Sequence, residues 1–465
     1  MKKMKTEIAI IGAGSAGLAA YRTAKTHGKQ ALLIESGAYG TTCARVGCMP
    51  TKLLSAAASV AYEARRAAPF GIDIPEVKVD GKRVMERVLN ERDRFVGFVL
   101  DGIHAIDDAD KLRGYARFRS PNTLLVGQDT EVTAERFVIA TGSRPEVPDM
   151  FKGAGDRVIV NDNVFYWTEL PRRVAVFGIG VIGLEIGQSL SRLGVDVHLF
   201  GMGGFVGPLS DPEVLESARQ AFSDELCIDF YSGVKTIEKV GDEVVVEYLQ
   251  KTKNEFVKKQ FDYVLVATGR TPNVDDLGLE NTPIELDNRG IPLFNTETMQ
   301  CGDHPYFIAG DADKYLPLLH EATDEGTIAG HNAAIWPKVY PGLRRTPINI
   351  IFSDPALMMV GTRYADLLPY SFVTGQVDFS NQGRSRIILK NKGLLRVYVD
   401  NESHRFLGAE MVGPKAEHIA HLLAWSHQMG LTVERMLEMP FYHPVVEEGV
   451  RTALRDALAQ LKAES

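Results

Sequence analysis

Cysteine is scarce in this chain, four among 465 residues. No apolar stretch ahead of a cleavage site follows the basic start Met1-Lys2-Lys3-Met4-Lys5. A secreted, disulfide-stapled scaffold is therefore excluded, and two cysteines found close together point to redox chemistry or a metal site. Positive charge is also short. Lys and Arg number 52 against 60 Asp and Glu, a net charge of −8, and a nucleic-acid binder needs a basic surface. Long hydrophobic runs are missing too. The longest, Ile8 to Ala20, is interrupted by Gly12, Gly14 and Gly17, short of the roughly 20 apolar residues that span a bilayer. The expectation is a soluble, cytoplasmic protein with neither nucleic acid nor membrane as partner. What is present fits a globular chain: 45% hydrophobic and 24% charged residues, with a length that implies two to four domains.

The first motif starts almost at once. Glu7-Ile8-Ala9-Ile10-Ile11 reads as a buried strand, followed by Gly12-Ala13-Gly14-Ser15-Ala16-Gly17, an Ala-rich helix to about Gly28, and a strand from Gln30 to Ile34 ending at Glu35. In such a βαβ unit Gly12 makes the turn, and Gly14 lets backbone approach a pyrophosphate. Gly17 lets the helix pack closely, with its positive end on the phosphates. Glu35 follows where a carboxylate accepts from ribose hydroxyls.

The pattern recurs with the strand Arg173 to Phe177, then Gly178-Ile179-Gly180-Val181-Ile182-Gly183, a helix, and the strand Val195 to Phe200. Here the acid is missing, because its place is taken by Gly201. Two fingerprints in one chain suggest a flavin and a nicotinamide exchanging electrons. Phe137 to Gly142 and Tyr263 to Gly269 each run an apolar strand into Ala-Thr-Gly and would close one fold apiece. Tyr306 to Asp311 is another buried strand, with Asp311 placed to hold a ligand hydroxyl. From about Thr346 the character changes to α+β without a third fingerprint. Arg384 to Lys390, Leu394 to Asp400 and Phe406 to Met411 read as strands, and Ala416 to Met429 as an amphipathic helix.

Chemistry concentrates at Thr42-Cys43-Ala44-Arg45-Val46-Gly47-Cys48-Met49-Pro50-Thr51-Lys52. Pro50 suits a first helical turn, which places Cys48 at a helix N-terminus where the dipole favours a thiolate. Continuous helix would hold Cys43 about 7.5 Å of rise away, too far for an easy disulfide. Cys43 is therefore expected on a distorted turn that Gly47 permits. A zinc half-site is short of ligands: Cys227 and Cys301 stand alone, with no histidine paired to them in the sequence, and read as ordinary buried or surface residues. Attack on a disulfide needs a base to make a thiolate. No histidine lies between Lys29 and Gly102. The candidate is Tyr442-His443-Pro444-Val445-Val446-Glu447-Glu448, with Pro444 read as a helix start and a carboxylate one turn on to orient the imidazole. Spacing does not choose between Glu447 and Glu448.

With paired cysteines, two fingerprints and a terminal His-Pro in this order, the chain resembles the class I pyridine nucleotide–disulfide oxidoreductase family over nearly its whole length. It is most similar to the family's dihydrolipoyl-oxidising members. The resemblance implies an α/β fold with two Rossmann-like dinucleotide-binding domains, for FAD and NAD(P), and a C-terminal α+β dimerisation domain. The expected division is residues 1–150 for FAD, 151–271 for NAD(P), 272–345 for a second FAD-binding or central segment, and 346–465 for dimerisation. It further implies a homodimer whose active sites are shared between subunits. Residue by residue, Cys43 resembles the sulfur that exchanges with substrate and Cys48 the sulfur that contacts flavin. Lys52 and Glu185 match a pair beside the flavin, Asp311 a ligand of its ribityl chain, and His320 a segment near its ring system. Glu448, rather than Glu447, matches the partner of His443. Ala116, Thr141 and Gly142 join the first nucleotide site and Gly269 the second.

The activity implied is an FAD-dependent, NAD-linked oxidation of dihydrolipoyl groups through a Cys43–Cys48 redox disulfide. The alternative is NAD(P)H-dependent reduction of glutathione or another small disulfide. Because the first Rossmann strand opens the chain, the lipoyl group is expected on another protein. Departures from the family pattern are Ala44-Arg45 between the cysteines, Val445 after Pro444, and Gly201. Without an acid at 201 and without a local arginine, NAD is expected to be preferred with weakened discrimination, leaving NADP possible.

Overall fold

The computed structural model describes residues 1–250 and 254–464. They form two compact units. One holds Met1–Pro50, Arg87–Glu146 and Gly269–Arg344, and the other holds Thr51–Glu86, Val147–Thr268 and Arg345–Ser465.

The first unit is built on a mostly parallel sheet. Its central strand Lys2–Ile11 lies between Ala31–Glu35 and Thr130–Ile139, with Lys111–Arg113 at one edge. Tyr306–Ile308 pairs with the far side of Thr130–Ile139, and the hairpin Ala116–Ser120 and Thr123–Val126 adds antiparallel strands. The run Ile8 to Ile11 is buried on both faces, as parallel strands require. Register aligns Ile11 with both Ile34 and Ile139, and Ile139 with Ile308. Gly12, Glu35, Ala140 and the Gly310–Ala312 turn therefore leave the sheet at the same, carboxyl edge, where ligands bind in open α/β sheets. Helices Ser15–Thr26 and Leu319–Ile335 cover one face through small residues. A β-carbon on Gly326 would stand 2.2 Å from the Ala16 carbonyl oxygen, and one on Gly330 2.5 Å from that of Ala20.

In the second unit a five-stranded parallel sheet runs Ile228–Asp229, Asp196–Phe200, Arg173–Phe177, Tyr263–Val266, Val158–Ile159. Phe177 is level with Phe200 and Val266, so Gly178, Gly201 and Ala267 share its carboxyl edge. A three-stranded antiparallel layer, Val234–Val240, Glu243–Gln250 and Glu255–Phe261, buries Ile237, Val246 and Phe261 against Phe200 and Val264.

The C-terminal part of the same unit is an antiparallel sheet ordered Ile348–Ile351, Ala356–Gly361, Phe406–Gly413, Leu394–Asp400, Phe372–Asp378. Helices Ala416–Gln428 and Glu448–Glu464 pack on it. The expected strand Arg384 to Lys390 is instead a short helix, Gly383–Ile387. The Gln382 side chain accepts from the Ser385 N–H at 2.7 Å, an N-cap that competes with the extended form favoured by the apolar run after it. The edge strand is Phe372–Asp378. The helix expected to start at Pro444 starts at Glu448.

One buried carboxylate ties this sheet to the segment after the second glycine loop. Glu410 is fully buried and accepts from the N–H groups of Ser210 (2.6 Å), Asp211 (2.8 Å) and Tyr364 (3.1 Å). Asp211 in turn caps Pro212–Ser223 and takes the Arg396 guanidinium at 2.7 Å. Glu410→Ala strands these amides at about 1–3 kcal/mol each. The expected result is a thermal unfolding midpoint several degrees lower in calorimetry, and an unchanged midpoint contradicts the strut.

Candidate active site

The first fingerprint folds as a cradle. Gly12 has φ +110°, and a β-carbon there would stand 2.2 Å from the Ala140 carbonyl oxygen. A β-carbon on Gly17 would stand 1.9 Å from the Gly12 oxygen, so the helix starts hard against the turn. Gly14 has open space where its β-carbon would be, which leaves backbone free for a ligand. Glu35 ends its strand and accepts from Ala13 N–H at 2.8 Å and Gly37 N–H at 2.6 Å. Gly12, Ala13, Gly14, Glu35 and Gly37 line a cleft of about 520 Å³, together with Thr41, Thr42, Arg45, Ala116, Thr141 and Gly142. The Thr141 hydroxyl is buried there without a hydrogen-bond partner. An orphaned hydroxyl, exposed backbone amides and a carboxylate at a strand end suit a dinucleotide, so the residues fit FAD.

Asp311 lies on the Gly310–Ala312 turn and accepts from the Ser143 hydroxyl at 2.7 Å, with Arg270 at 3.8 Å. It stands outside the cleft lining, as does His320, which is half-exposed in the first turn of Leu319–Ile335 with Nε2 3.7 Å from Glu321. Gly269 has φ +146°, and its carbonyl accepts from Glu146 N–H at 3.0 Å.

The second fingerprint repeats the first closely. Gly178 has φ +106° with the Ala267 oxygen 2.3 Å from its would-be β-carbon; Gly180 faces open space; Gly183 backs onto the Gly178 oxygen at 1.9 Å. The difference comes at Gly201. A β-carbon there would meet Ile179 Cδ1 at 2.4 Å, so any side chain has to displace the fingerprint's own isoleucine. The loop carries no carboxylate and is braced from outside. Arg219 donates to the Gly204 carbonyl at 3.0 and 2.6 Å and to Glu216 at 3.1 Å. Sequence reasoning missed this arginine, since it comes from the helix Pro212–Ser223 rather than from the loop.

The cysteines fall on two consecutive helices. Cys43 is half-buried in the single turn Thr42–Val46, capped by the Thr41 hydroxyl accepting from Ala44 N–H at 3.3 Å. Gly47 breaks the path, and the exposed Cys48 opens the 18-residue helix Cys48–Arg65. Lys52 follows four residues along that helix. Its ammonium lies 2.7 Å from Glu185 Oε2 and 4.7 Å from the Phe352 ring. Glu185 is almost fully buried, and its other oxygen accepts from Phe352 N–H at 2.9 Å.

Near the C-terminus, His443 Nδ1 is 3.0 Å from Glu448 Oε2. The imidazole is exposed, whereas the carboxylate is largely sheltered and also takes Arg451 at 2.8 Å. Glu448, at the start of its helix, is the acid that reaches the ring, which resolves the choice spacing left open. Partial burial pushes its carboxyl up, but the Val445 N–H, His443 and Arg451 outweigh it, so the net direction is down. The ionised form is thus held in place to orient the ring.

Two phosphate-binding turns on two parallel sheets, with paired cysteines at a helix start, define a dinucleotide-dependent redox protein. Residues 6–326 match the model of the family described as pyridine nucleotide-disulphide oxidoreductase, and residues 348–454 match that family's dimerisation domain. The chain belongs to this family, as an FAD- and NAD-dependent oxidoreductase. It is 32% identical to the dihydrolipoyl dehydrogenase of Haloferax volcanii over 98% of this chain and 97% of that one. It is 30% identical to the dihydrolipoyl dehydrogenase of Halobacterium salinarum over 97% and 96%. The HOCl-induced flavoprotein disulfide reductase RclA of Escherichia coli, solved as a Cu(II) complex, shares the fold with a TM-score of 0.81 at 23% identity, over 97% of this chain and 99% of that one. No helix among the described residues is long and apolar enough to cross a membrane.

Gly17→Ala drives a methyl into the Gly12 carbonyl. The variant is expected to purify with FAD content reduced several-fold, read from the ratio of flavin to protein absorbance. Full flavin content contradicts the cradle.

Proposed function

We propose that this chain oxidises dihydrolipoyl groups borne by another protein and passes the electrons to NAD⁺, as a homodimer in which His443 and Glu448 of one subunit serve the cysteines of the other. The observation that carries the reading is the His443–Glu448 pair at 3.0 Å in a chain that also presents Cys43 and Cys48 across the Gly47 break. The full-length similarity to two dihydrolipoyl dehydrogenases supports the substrate. The four-part division at 150, 271 and 345 belongs to the same reading. It gives each fingerprint its own segment and assigns the antiparallel sheet to dimerisation.

His443 Nε2 takes the proton of the first substrate thiol, while Nδ1 stays directed at Glu448. The substrate thiolate attacks Cys43 Sγ, the Cys43–Cys48 bond breaks, and Cys48 leaves as a thiolate stabilised by the start of its helix. The second substrate sulfur then attacks the mixed disulfide and expels the Cys43 thiolate, closing the cyclic disulfide product. Bound FAD supplies a two-electron carrier between the dithiol and the nicotinamide. Gly12, Gly14, Gly17, Glu35, Ala116, Thr141, Gly142, Asp311 and His320 are assigned to hold it, with Lys52 fixed by Glu185. Gly178, Gly180, Gly183 and Gly269 are assigned to the nicotinamide nucleotide. With Gly201 in place of an acid, NAD is preferred by a modest factor only.

The test is NADH formation from dihydrolipoamide by the purified enzyme. Cys43→Ser is expected to abolish turnover with flavin retained, and His443→Gln to lower kcat by about 10²–10⁴-fold. No turnover of dihydrolipoamide together with NADPH-dependent reduction of glutathione disulfide replaces this reading with the small-disulfide one. A His443→Gln enzyme at full rate removes the proposed base.

A further inference from the structure

The second parallel sheet carries a polar cluster that the dithiol chemistry leaves unused. His198 sits within Asp196–Phe200, its side chain only 4% exposed. Beside it runs the edge strand Ile228–Asp229, with Leu199 opposite Ile228 and Phe200 opposite Asp229. The Leu199 N–H donates to the Cys227 carbonyl at 2.9 Å. Side chains alternate along strands, so this register puts His198 and Phe200 on the same face as Cys227 and Asp229.

His198 Nε2 is 2.9 Å from Asp229 Oδ2, while Nδ1 is buried with no hydrogen-bond partner. One step back along the same register, Cys227 stands opposite His198. Phe200 stacks on the imidazole at 4.1 Å and Tyr248 meets it edge-on at 4.9 Å. Burial disfavours the charged ring, but Asp229 and Cys227 outweigh it and the imidazole is pushed up. Burial, followed by the charges of Cys227, Asp229 and Asp196, pushes the Tyr248 phenol up as well, so it stays neutral, and Asp196 is engaged by Lys259 at 2.9 Å. Cys227 itself is exposed. An exposed cysteine opposite a histidine that a carboxylate holds in place, and whose proton affinity is raised, has the surroundings of a reactive cysteine. Sequence spacing pairs no histidine with Cys227, and the fold sets His198 opposite it from a different strand.

We propose that Cys227, with His198 and Asp229, forms a second reactive-thiol site, separate from the Cys43/Cys48 pair and oxidised by hydroperoxides. The Cys227 thiolate attacks one peroxide oxygen and the O–O bond breaks. The sulfur becomes a sulfenic acid, oxidised by two electrons. The leaving hydroxide or alkoxide takes the proton of the His198 imidazolium and departs as water or alcohol. The site adjoins the glycine loop of the second fingerprint. The Asp229 carbonyl accepts from Gly201 N–H at 2.7 Å, and that of Phe230 accepts from Gly204 N–H at 3.0 Å. The Gly201 carbonyl accepts from Ser232 N–H at 2.9 Å and its hydroxyl at 2.6 Å. Oxidation at Cys227 therefore weakens nucleotide binding through this loop, a consequence that rests on the nicotinamide assignment above, whereas the thiol's reactivity does not.

The experiment is iodoacetamide alkylation of the oxidised holoenzyme, resolved by site through peptide mass. At pH 7 Cys227 is expected to react about tenfold faster than an ordinary exposed thiol, whose thiolate fraction is a few per cent there. Asp229→Asn is expected to bring it down to the ordinary rate. Hydrogen peroxide is expected to give a dimedone-trappable sulfenic acid at Cys227 and a several-fold higher KM for NAD⁺, with no KM change in treated Cys227→Ser. Alkylation with a midpoint near pH 8.5 in both wild type and Asp229→Asn overturns the proposal. Fast labelling with an unmoved KM sustains the thiol site and overturns its coupling to the loop.

Discussion

In both nucleotide folds the carbonyl of the first fingerprint glycine presses on the α-carbon of the third, at a distance that leaves no room for a side chain. The contact is backbone on backbone, 1.9 Å from where a β-carbon would stand at Gly17 and at Gly183. It forces each helix to begin directly over the end of its strand, so free N–H groups and the positive helix end face the carboxyl edge of the sheet. Strand register then brings Glu35 and Ala140 to that edge in one unit, and Gly201 and Ala267 in the other. The two sites thus rest on one steric constraint applied twice.

The two glycine turns are alike in their steric contacts, and they diverge at the end of the second strand of each βαβ unit. In the first, Glu35 closes the turn by accepting from Ala13 and Gly37. In the second, Ile179 occupies the space a carboxylate stem would need, and the loop is held by Arg219 and by residues 229–232 instead. The first turn holds a carboxylate; the second holds none and has the Arg219 guanidinium on it instead.

Much of this was legible in the chain because the determinants are local. Glycine fingerprints, buried β-branched strands and a proline after Cys48 act within a few residues, and the folds they announce are present. Local signals failed where a side chain elsewhere decides. The apolar run after Arg384 reads as a strand, yet the cap from Gln382 turns it into a helix. Glu447 and Glu448 are equivalent by spacing, and only the helix start at Glu448 aims the latter at His443. Arg219 and the pairing of His198 with Asp229 depend on neighbouring strands and helices, which no short motif encodes. The first unit is likewise assembled from three separated stretches of chain.

The proposed chemistry rests on Cys43 and Cys48, on either side of the helix break at Gly47, cycling between disulfide and dithiol. The most direct measurement is thiol counting by alkylation and peptide mass under denaturing conditions, before and after anaerobic addition of one equivalent of NADH per chain. The account predicts that Cys43 and Cys48 resist alkylation in the oxidised enzyme and both become alkylated after reduction. Alkylation of both without reductant, or of neither after it, contradicts a redox-active pair.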